Sequence, residues 1–386
     1  MCAPWRAVST TRPPRVSYGS MGARIVAVAE SPYSRHPRGG TTTELLLADA
    51  FLRVLARGGI DRQDVDGIGV SSFTLAPDHV ADLAFRLGVR VRWLMDDANG
   101  GASAINMLQH AVRAVDAGDA RAIVLLSGDH FEADDFRRLV DRYNRATADH
   151  LAPIPTGGPN ALFAQLTSRH MTRHGLERED YGRFVVRQRQ WAEQNSDALY
   201  RQPLSLDEYL AAPPVAPPLH RYDCVPVVSG ADAVLVADSQ HGVTVRAMRA
   251  LHNADLHEGD GLHTGLAEVA HELWDAAGFG PADVDAAYVY DDYPVMALIQ
   301  LDELGLVRDG DIARFVREST LPVNTSGGQL SAGQAGAAGG MHGLVEAVRQ
   351  LIDGNRVRAR RAVVSGYGMV VYRYGLCANA AVLEAT

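Results

Sequence analysis

The sequence predicts an α/β protein made of two duplicated halves, with a long insert in the first half. Three observations carry that prediction. The layout of LARGGIDRQDVDGIGV, residues 55–70, returns in WDAAGFGPADVDAAYV, residues 274–289, with Asp64-Val65-Asp66 matching Asp283-Val284-Asp285. Further along, HAVRAVDAGDARAIVLLSG (110–128) matches EAVRQLIDGNRVRARRAVVSG (346–366), helix to helix and strand to strand, with two extra residues in the second copy. The runs AIVLLSG and RAVVSG are almost continuously apolar, as strands covered by helices on both faces must be.

The elements follow in order. Residues 1–20 are basic and rich in Pro and Ser without an apolar core, so they read as a disordered leader rather than a secretory signal. The first half, 21–245, opens on the strand RIVAVAES, and a helix follows over TTTELLLADAFLRVLARGG with a Thr41-x-x-Glu44 capping box. The strand DGIGVSS comes next, then a turn and helix beginning near Asn99, then the strand AIVLLSG. Residues from about 129 to 222 break the repeat with charged helices and a Pro-rich tail, LAAPPVAPPLHRYD, and read as an inserted loop domain capping one end of the core. The second half, 246–386, repeats the first without that insert.

Composition narrows the function. Of 386 residues, 47% are apolar and 22% charged, ordinary for a soluble globular chain, and no apolar run reaches the ~18 residues of a membrane span. A net charge of −9 without a basic cluster excludes a general nucleic-acid surface. Three scattered cysteines, Cys2, Cys224 and Cys377, make neither a disulfide framework nor a zinc knuckle, so a reducing, cytoplasmic setting is expected. His252, His257, His263 and His271 cluster without metal-ligand spacing, no nucleotide-binding glycine fingerprint is present, and neither metal nor cofactor is expected.

Two duplicated α/β halves, with PPLHRYDCVPVVSGADAVLV (217–236) and LPVNTSGGQLSAGQAGAAGGMHGLVEAVRQL (321–351), resemble the thiolase superfamily, and within it the sterol-carrier-protein-x or lipid-transfer branch. The resemblance spans residues 21–386 and implies a layered αβαβα thiolase fold and a homodimer paired through WLMDDAN. It also implies acyl-thioester chemistry, on acyl-CoA or a carrier-linked acyl group. Members of this branch often act with a small zinc-ribbon, OB-fold partner of the DUF35 type.

The same resemblance places a nucleophilic cysteine in the turn DDANGGASAINML (96–108), where Gly101 stands at its position here and Ser103 follows as a helix cap. The branch's H-D-C-F segment aligns with Tyr290-Asp291-Asp292-Tyr293, and its G-H-P with Gly333-Gln334-Ala335. Its C-terminal cysteine falls in the region of Ser365 and Tyr367. With the cysteine and the histidines gone, an acyl-enzyme is not available. Tyr290, Asp291, Tyr293, Gln334 and Tyr367 are the expected catalytic residues and, with Asp292 and Asn324, are expected to converge on the enolate pocket. Gly101, Ser103, Asn324 and Gly333 are expected to bind substrate, with amides of the 332–340 run open to a substrate oxygen. Tyr290 is expected to be the general acid/base, its pKa lowered by Asn324, Gln334 and amide dipoles and raised by any ionised Asp291 or Asp292.

The expected function is non-covalent carbon–carbon bond chemistry on an acyl thioester, aldol or retro-aldol. A non-catalytic thioester-binding subunit and a direct acyltransferase are the alternatives.

Overall fold

The computed structural model describes residues 22–386 except 133, 155–157, 257, 372 and 373, so the expected leader at 1–20 lies outside the described residues. The strands are β1 Ala23–Glu30, β2 Gly67–Ser71, β3 Trp93–Asp96, β4 Ala122–Asp129, β5 Pro214–Ala216, β6 Leu219–His220, β7 Gly230–Asp238, β8 Val243–His252, β9 Ala286–Tyr288, β10 Arg361–Val371 and β11 Tyr374–Ala385. The helices are α1 Thr43–Gly58, α2 Val80–Leu87, α3 Ser103–Ala117, α4 Asp135–Asp141, α5 Pro159–His174, α6 Arg178–Glu193, α7 Leu206–Leu210, α8 Leu266–Ala277, α9 Pro294–Glu303, α10 Ile312–Glu318, α11 Gly328–Ala332 and α12 Gly339–Asp353. None is long and apolar enough to cross a membrane among the described residues.

Nine strands run in the order β3-β2-β4-β7-β1-β8-β11-β10-β9, and the two halves meet where Ile25 of β1 opposes Val243 of β8. Outward from that junction each half repeats one pattern: β1, β7, β4, β2 and β3 on one side, β8, β11, β10 and β9 on the other. A parallel bridge from Ala287 to Val323 stands where β3 would be. Since β8 starts at Val243, the boundary expected between 245 and 246 falls inside a strand.

Alternation along the strands assigns the layers, because successive side chains point to opposite faces. In β4, Ile123 and Leu125 join a core containing α3 and α12, while Val124 and Leu126 face α1 and α2. In β10, Ala362 and Val364 face that same central core, while Val363 faces α8, α9 and the insert helices. The result is helix, sheet, helix pair, sheet, helix, which is the αβαβα arrangement.

The duplication reaches single hydrogen bonds. The Asp66 carboxylate accepts from the amides of Arg121 at 2.8 Å and Ala122 at 2.9 Å. Asp285, its counterpart, accepts from Arg360 at 2.7 Å and Arg361 at 2.9 Å. Each aspartate ties the start of one strand to the next and follows its own short helical turn, Arg62–Asp64 or Pro281–Asp283. Asp66→Ala and Asp285→Ala should each cost about 1–2 kcal/mol of stability, nearly additively in the double variant, as urea denaturation would read. Unchanged midpoints would show that these turns add nothing.

One expected cap shifts: Thr42, not Thr41, caps α1, its side chain accepting from the Leu45 amide at 3.3 Å. Thr42 has the extended backbone an N-cap needs. The insert fills the connection from β4 to β7 with α4 to α7 and the small β5–β6 ribbon. Asn144 fastens it over the β10–β11 hairpin by donating to the Val370 carbonyl at 2.7 Å.

Candidate active site

The turn before α3 is where the halves and the insert converge. It is wedged between the start of α12 and β10 so closely that a Cβ on Gly340 would lie 2.6 Å from the Gly101 carbonyl oxygen. A Cβ on Gly101 itself would stand 2.1 Å from the Tyr367 carbonyl oxygen and 2.4 Å from the Tyr290 ring. Only glycine fits at position 101, because the first obstacle is strand backbone and not a side chain that swings aside. At the position expected to have held the nucleophile, this backbone therefore has no room for a side chain. The polar side chain the turn does present is Asn99, whose Oδ1 accepts from Cys377 Sγ at 3.7 Å.

Ser103 is fully buried and donates to Asp97 at 2.6 Å, so its hydroxyl serves the turn and does not face a substrate. Gly333 donates its amide to the Gln329 carbonyl at 3.1 Å, Gln334 to Pro226 at 2.9 Å and Ala337 to Asp129 at 2.7 Å. These three amides are engaged within the protein and do not stand open to a substrate oxygen. Asn324 is likewise used locally: its amide group accepts from Val289 N at 2.9 Å and donates to Val289 O at 3.0 Å, holding the strand end that carries Tyr290.

Tyr290 projects from that strand end. Its backbone is fixed by Gln300, which donates to the Tyr290 carbonyl at 2.7 Å and accepts from Ser365 at 2.8 Å. Its phenol oxygen accepts from Gln334 Nε2 at 3.0 Å, which leaves the phenol proton for donation. Gln334 also donates to Gln329 at 3.0 Å, and Gln329 donates its backbone amide to Asp291 at 3.0 Å. Asp291 accepts from Gln188 of α6 at 2.9 Å as well. Asp291 is thus a buried anchor for α11, its carboxylate held by Gln188 and Gln329.

The two aspartates differ in kind. Burial raises Asp291 to about 6 against the hydrogen bonds that favour its anion. Burial and then the neighbouring Asp291 raise Asp292 to about 8, and its Oδ1 is buried with no hydrogen-bond partner. Tyr290 is raised well above its ordinary value, by burial first and by Asp292 next, so the expected lowering is reversed. Gln334 favours the phenolate, but one neutral donor does not offset desolvation beside a carboxylate.

Tyr293 and Tyr367 are brought near but aimed elsewhere. Tyr293 stacks on Phe163 of α5, centroids 4.1 Å apart, and donates to Asn160 at 2.7 Å. Tyr367 lies in the core against α9, and its hydroxyl accepts from the Gly375 amide across the β10–β11 hairpin.

Two participants escape the sequence reading. Asn99 is one. The other is Tyr143 of the insert, whose hydroxyl would lie 2.8 Å from a Cβ on Gly100 and which burial pushes up to about 12, with Asp292 adding to the rise. Nothing in the insert's sequence distinguishes Tyr143 from any other tyrosine on a charged helix end.

Of the expected surface histidines, His263 pairs with Glu303 at 3.2 Å and His271 with Asp275 at 3.2 Å, while His257 lies outside the described residues. Elsewhere Glu30, Asp232 and His342 bring ligand-type atoms within 4.8 Å of one another. There Arg349 pairs with Glu30, and Tyr33 donates to Asp232 at 2.9 Å. Burial disfavours the His342 cation, but Glu30 at 3.0 Å outweighs it and raises the imidazole to about 9. The cluster carries its own counter-charges and braces β1, β7 and α12.

Residues 248–377 match the thiolase C-terminal domain-like family. The chain is 31% identical over 361 residues to a 17-hydroxy-3-oxo-4-pregnene-20-carboxyl-CoA lyase of Mycobacterium tuberculosis, covering 85% of this chain and 91% of that protein. It is 28% identical to a steroid side-chain-cleaving aldolase of Thermomonospora curvata, covering 87% and 91%. Among solved structures, an Ltp2-ChsH2(DUF35) aldolase superposes with a TM-score of 0.81 at 25% identity, over 95% of this chain and 98% of that one.

Proposed function

Since the chain belongs to the thiolase superfamily, in its sterol-carrier-protein-x-like aldolase branch, we propose that it cleaves the Cα–Cβ bond of a β-hydroxyacyl-CoA by a retro-aldol reaction without an acyl-enzyme. One observation carries this reading: where a thiolase would need a nucleophile, Gly101 has no room for a side chain, and the ring that fills the space is the phenol of Tyr290. A phenol held protonated by burial, with Gln334 donating to its oxygen, suits a proton donor toward a developing enolate. The remaining nucleophile candidates are disarmed. Ser103 is bonded to Asp97, and burial pushes the thiols of Cys224 and Cys377 up to about 12 and about 11.

The names of the relatives favour a steroid-like acyl group and a DUF35 partner. The reaction asks for no cofactor beyond the CoA of its substrate. The outermost strand of the sheet, β3, with Leu94 exposed, supports a homodimer paired along that edge, and a monomer by sedimentation at micromolar concentration would refute it. The unpaired thiols Cys224 and Cys377 suit a reducing, cytoplasmic setting.

The test is turnover of 17-hydroxy-3-oxo-4-pregnene-20-carboxyl-CoA to the 17-ketone and propionyl-CoA, by the chain alone and with a DUF35-type protein added. Throughout, the intact mass should stay that of the free protein. Binding without turnover in both settings would make it a non-catalytic subunit, and a stoichiometric acyl adduct would mean covalent chemistry.

A further inference from the structure

Among the described residues, Asp292 is the carboxylate with a buried oxygen that the fold leaves unpaired. Its neighbour Asp291 is held by Gln188 and Gln329, whereas Asp292 Oδ1 is buried without a partner. Buried polar atoms are nearly always paired in native structures, so an orphaned carboxylate oxygen beside a reactive phenol calls for a partner that arrives with the ligand. The side chains that couple to it electrostatically are Asp291, Tyr290, Tyr143, Tyr293 and Cys224, and none is cationic. Among the described residues no fixed positive charge is coupled to it, and the groups around it come from both the insert and the second half.

Building on the retro-aldol reading above, we propose that Asp292 is the general base that takes the β-hydroxyl proton of the thioester substrate, opposite Tyr290 as the proton donor. The Asp292 carboxylate accepts the hydroxyl proton, the O–H electron pair becomes the carbonyl π bond, and the Cα–Cβ bond breaks with its pair entering the thioester enolate. Tyr290 then protonates Cα, and the proton held on Asp292 returns to the phenolate, so no co-reactant is needed. A base near 8 is matched to this work around neutral pH. The assignment also divides YDDY physically: its first aspartate anchors α11 and its second does the chemistry.

The experiment measures kcat against pH for the parent, Asp292→Asn and Asp292→Glu with 17-hydroxy-3-oxo-4-pregnene-20-carboxyl-CoA, with the DUF35-type protein present. The parent should show kcat rising with an apparent pKa near 8. Asp292→Asn should lose about 10²–10⁴-fold in kcat and lose that limb, while Asp292→Glu keeps a limb at a shifted pKa. The stability sign is opposite to that of an ordinary lost contact. A carboxyl raised from 3.8 to about 8 on folding stabilises the fold fully below pH 3.8, and that contribution is lost as pH rises toward 8. The Asn variant should therefore gain thermal stability over the parent progressively across that window and keep the gain above it.

An active parent with an equally active, folded Asp292→Asn variant overturns the inference and spares the retro-aldol reading. An inactive parent removes both. If Asp292→Asn fails to fold, Asp292→Glu decides: activity with a displaced limb supports the base, and a folded, inactive Glu variant overturns it.

Discussion

Replacing Tyr290 by Phe should lower turnover by about 10²–10⁴-fold while leaving folding and thioester binding intact, because only the hydroxyl is deleted. The ring would still fill the space over Gly101, and Gln300 would still hold the backbone. The cost would appear in kcat, since a donor to an enolate acts mainly in the transition state. The variant also leaves Gln334 one acceptor short, although its bond to Gln329 remains. Stopped-turnover assays with a parallel binding titration would check this. Equal kcat in parent and variant would take Tyr290 out of the mechanism.

Restoring a side chain at Gly101 should damage the protein rather than revive a thiolase. In Gly101→Ala the new Cβ meets the Tyr367 carbonyl at 2.1 Å and the Tyr290 ring at 2.4 Å. Tyr367 lies in β10, paired with Ala378 of β11 and fully buried, so its backbone has little freedom to retreat. The expected loss is about 3 kcal/mol or more, at the upper end of overpacking, together with displacement of the Tyr290 phenol and a fall in turnover. Gly101→Cys should behave alike and form no acyl adduct. Denaturant midpoints and intact mass read the two effects separately, and a stable, acylated Gly101→Cys would overturn this account of the turn.

The coupling between these positions explains how far the site was legible. Loss of the cysteine and replacement of the histidine by Tyr290 look like separate changes along the chain, yet in space the ring of one occupies the volume of the other. The same holds for Asp291 and Asp292. They are adjacent and chemically identical, and only the direction each leaves the strand end gives Asp291 three donors from Gln188 and Gln329 while leaving Asp292 Oδ1 buried with none.

What the sequence determined by itself was the duplication, the alternation of strands and helices, and the absence of an armed nucleophile. These rest on periodicity and residue type, which local physics dictates: the paired Asp-Val-Asp turns become the matched Asp66 and Asp285 bonds, and the apolar strand runs become sheets covered on both faces. Only the tertiary structure decided which polar groups remain available. Ser103, Asn324 and the amides of Gly333, Gln334 and Ala337 have suitable chemistry but find partners within the fold, while Tyr143 reaches the site from an insert with no periodic signature. Burial likewise set the direction of the Tyr290 shift, because desolvation is a property of the assembled environment and not of a residue or its neighbours in sequence.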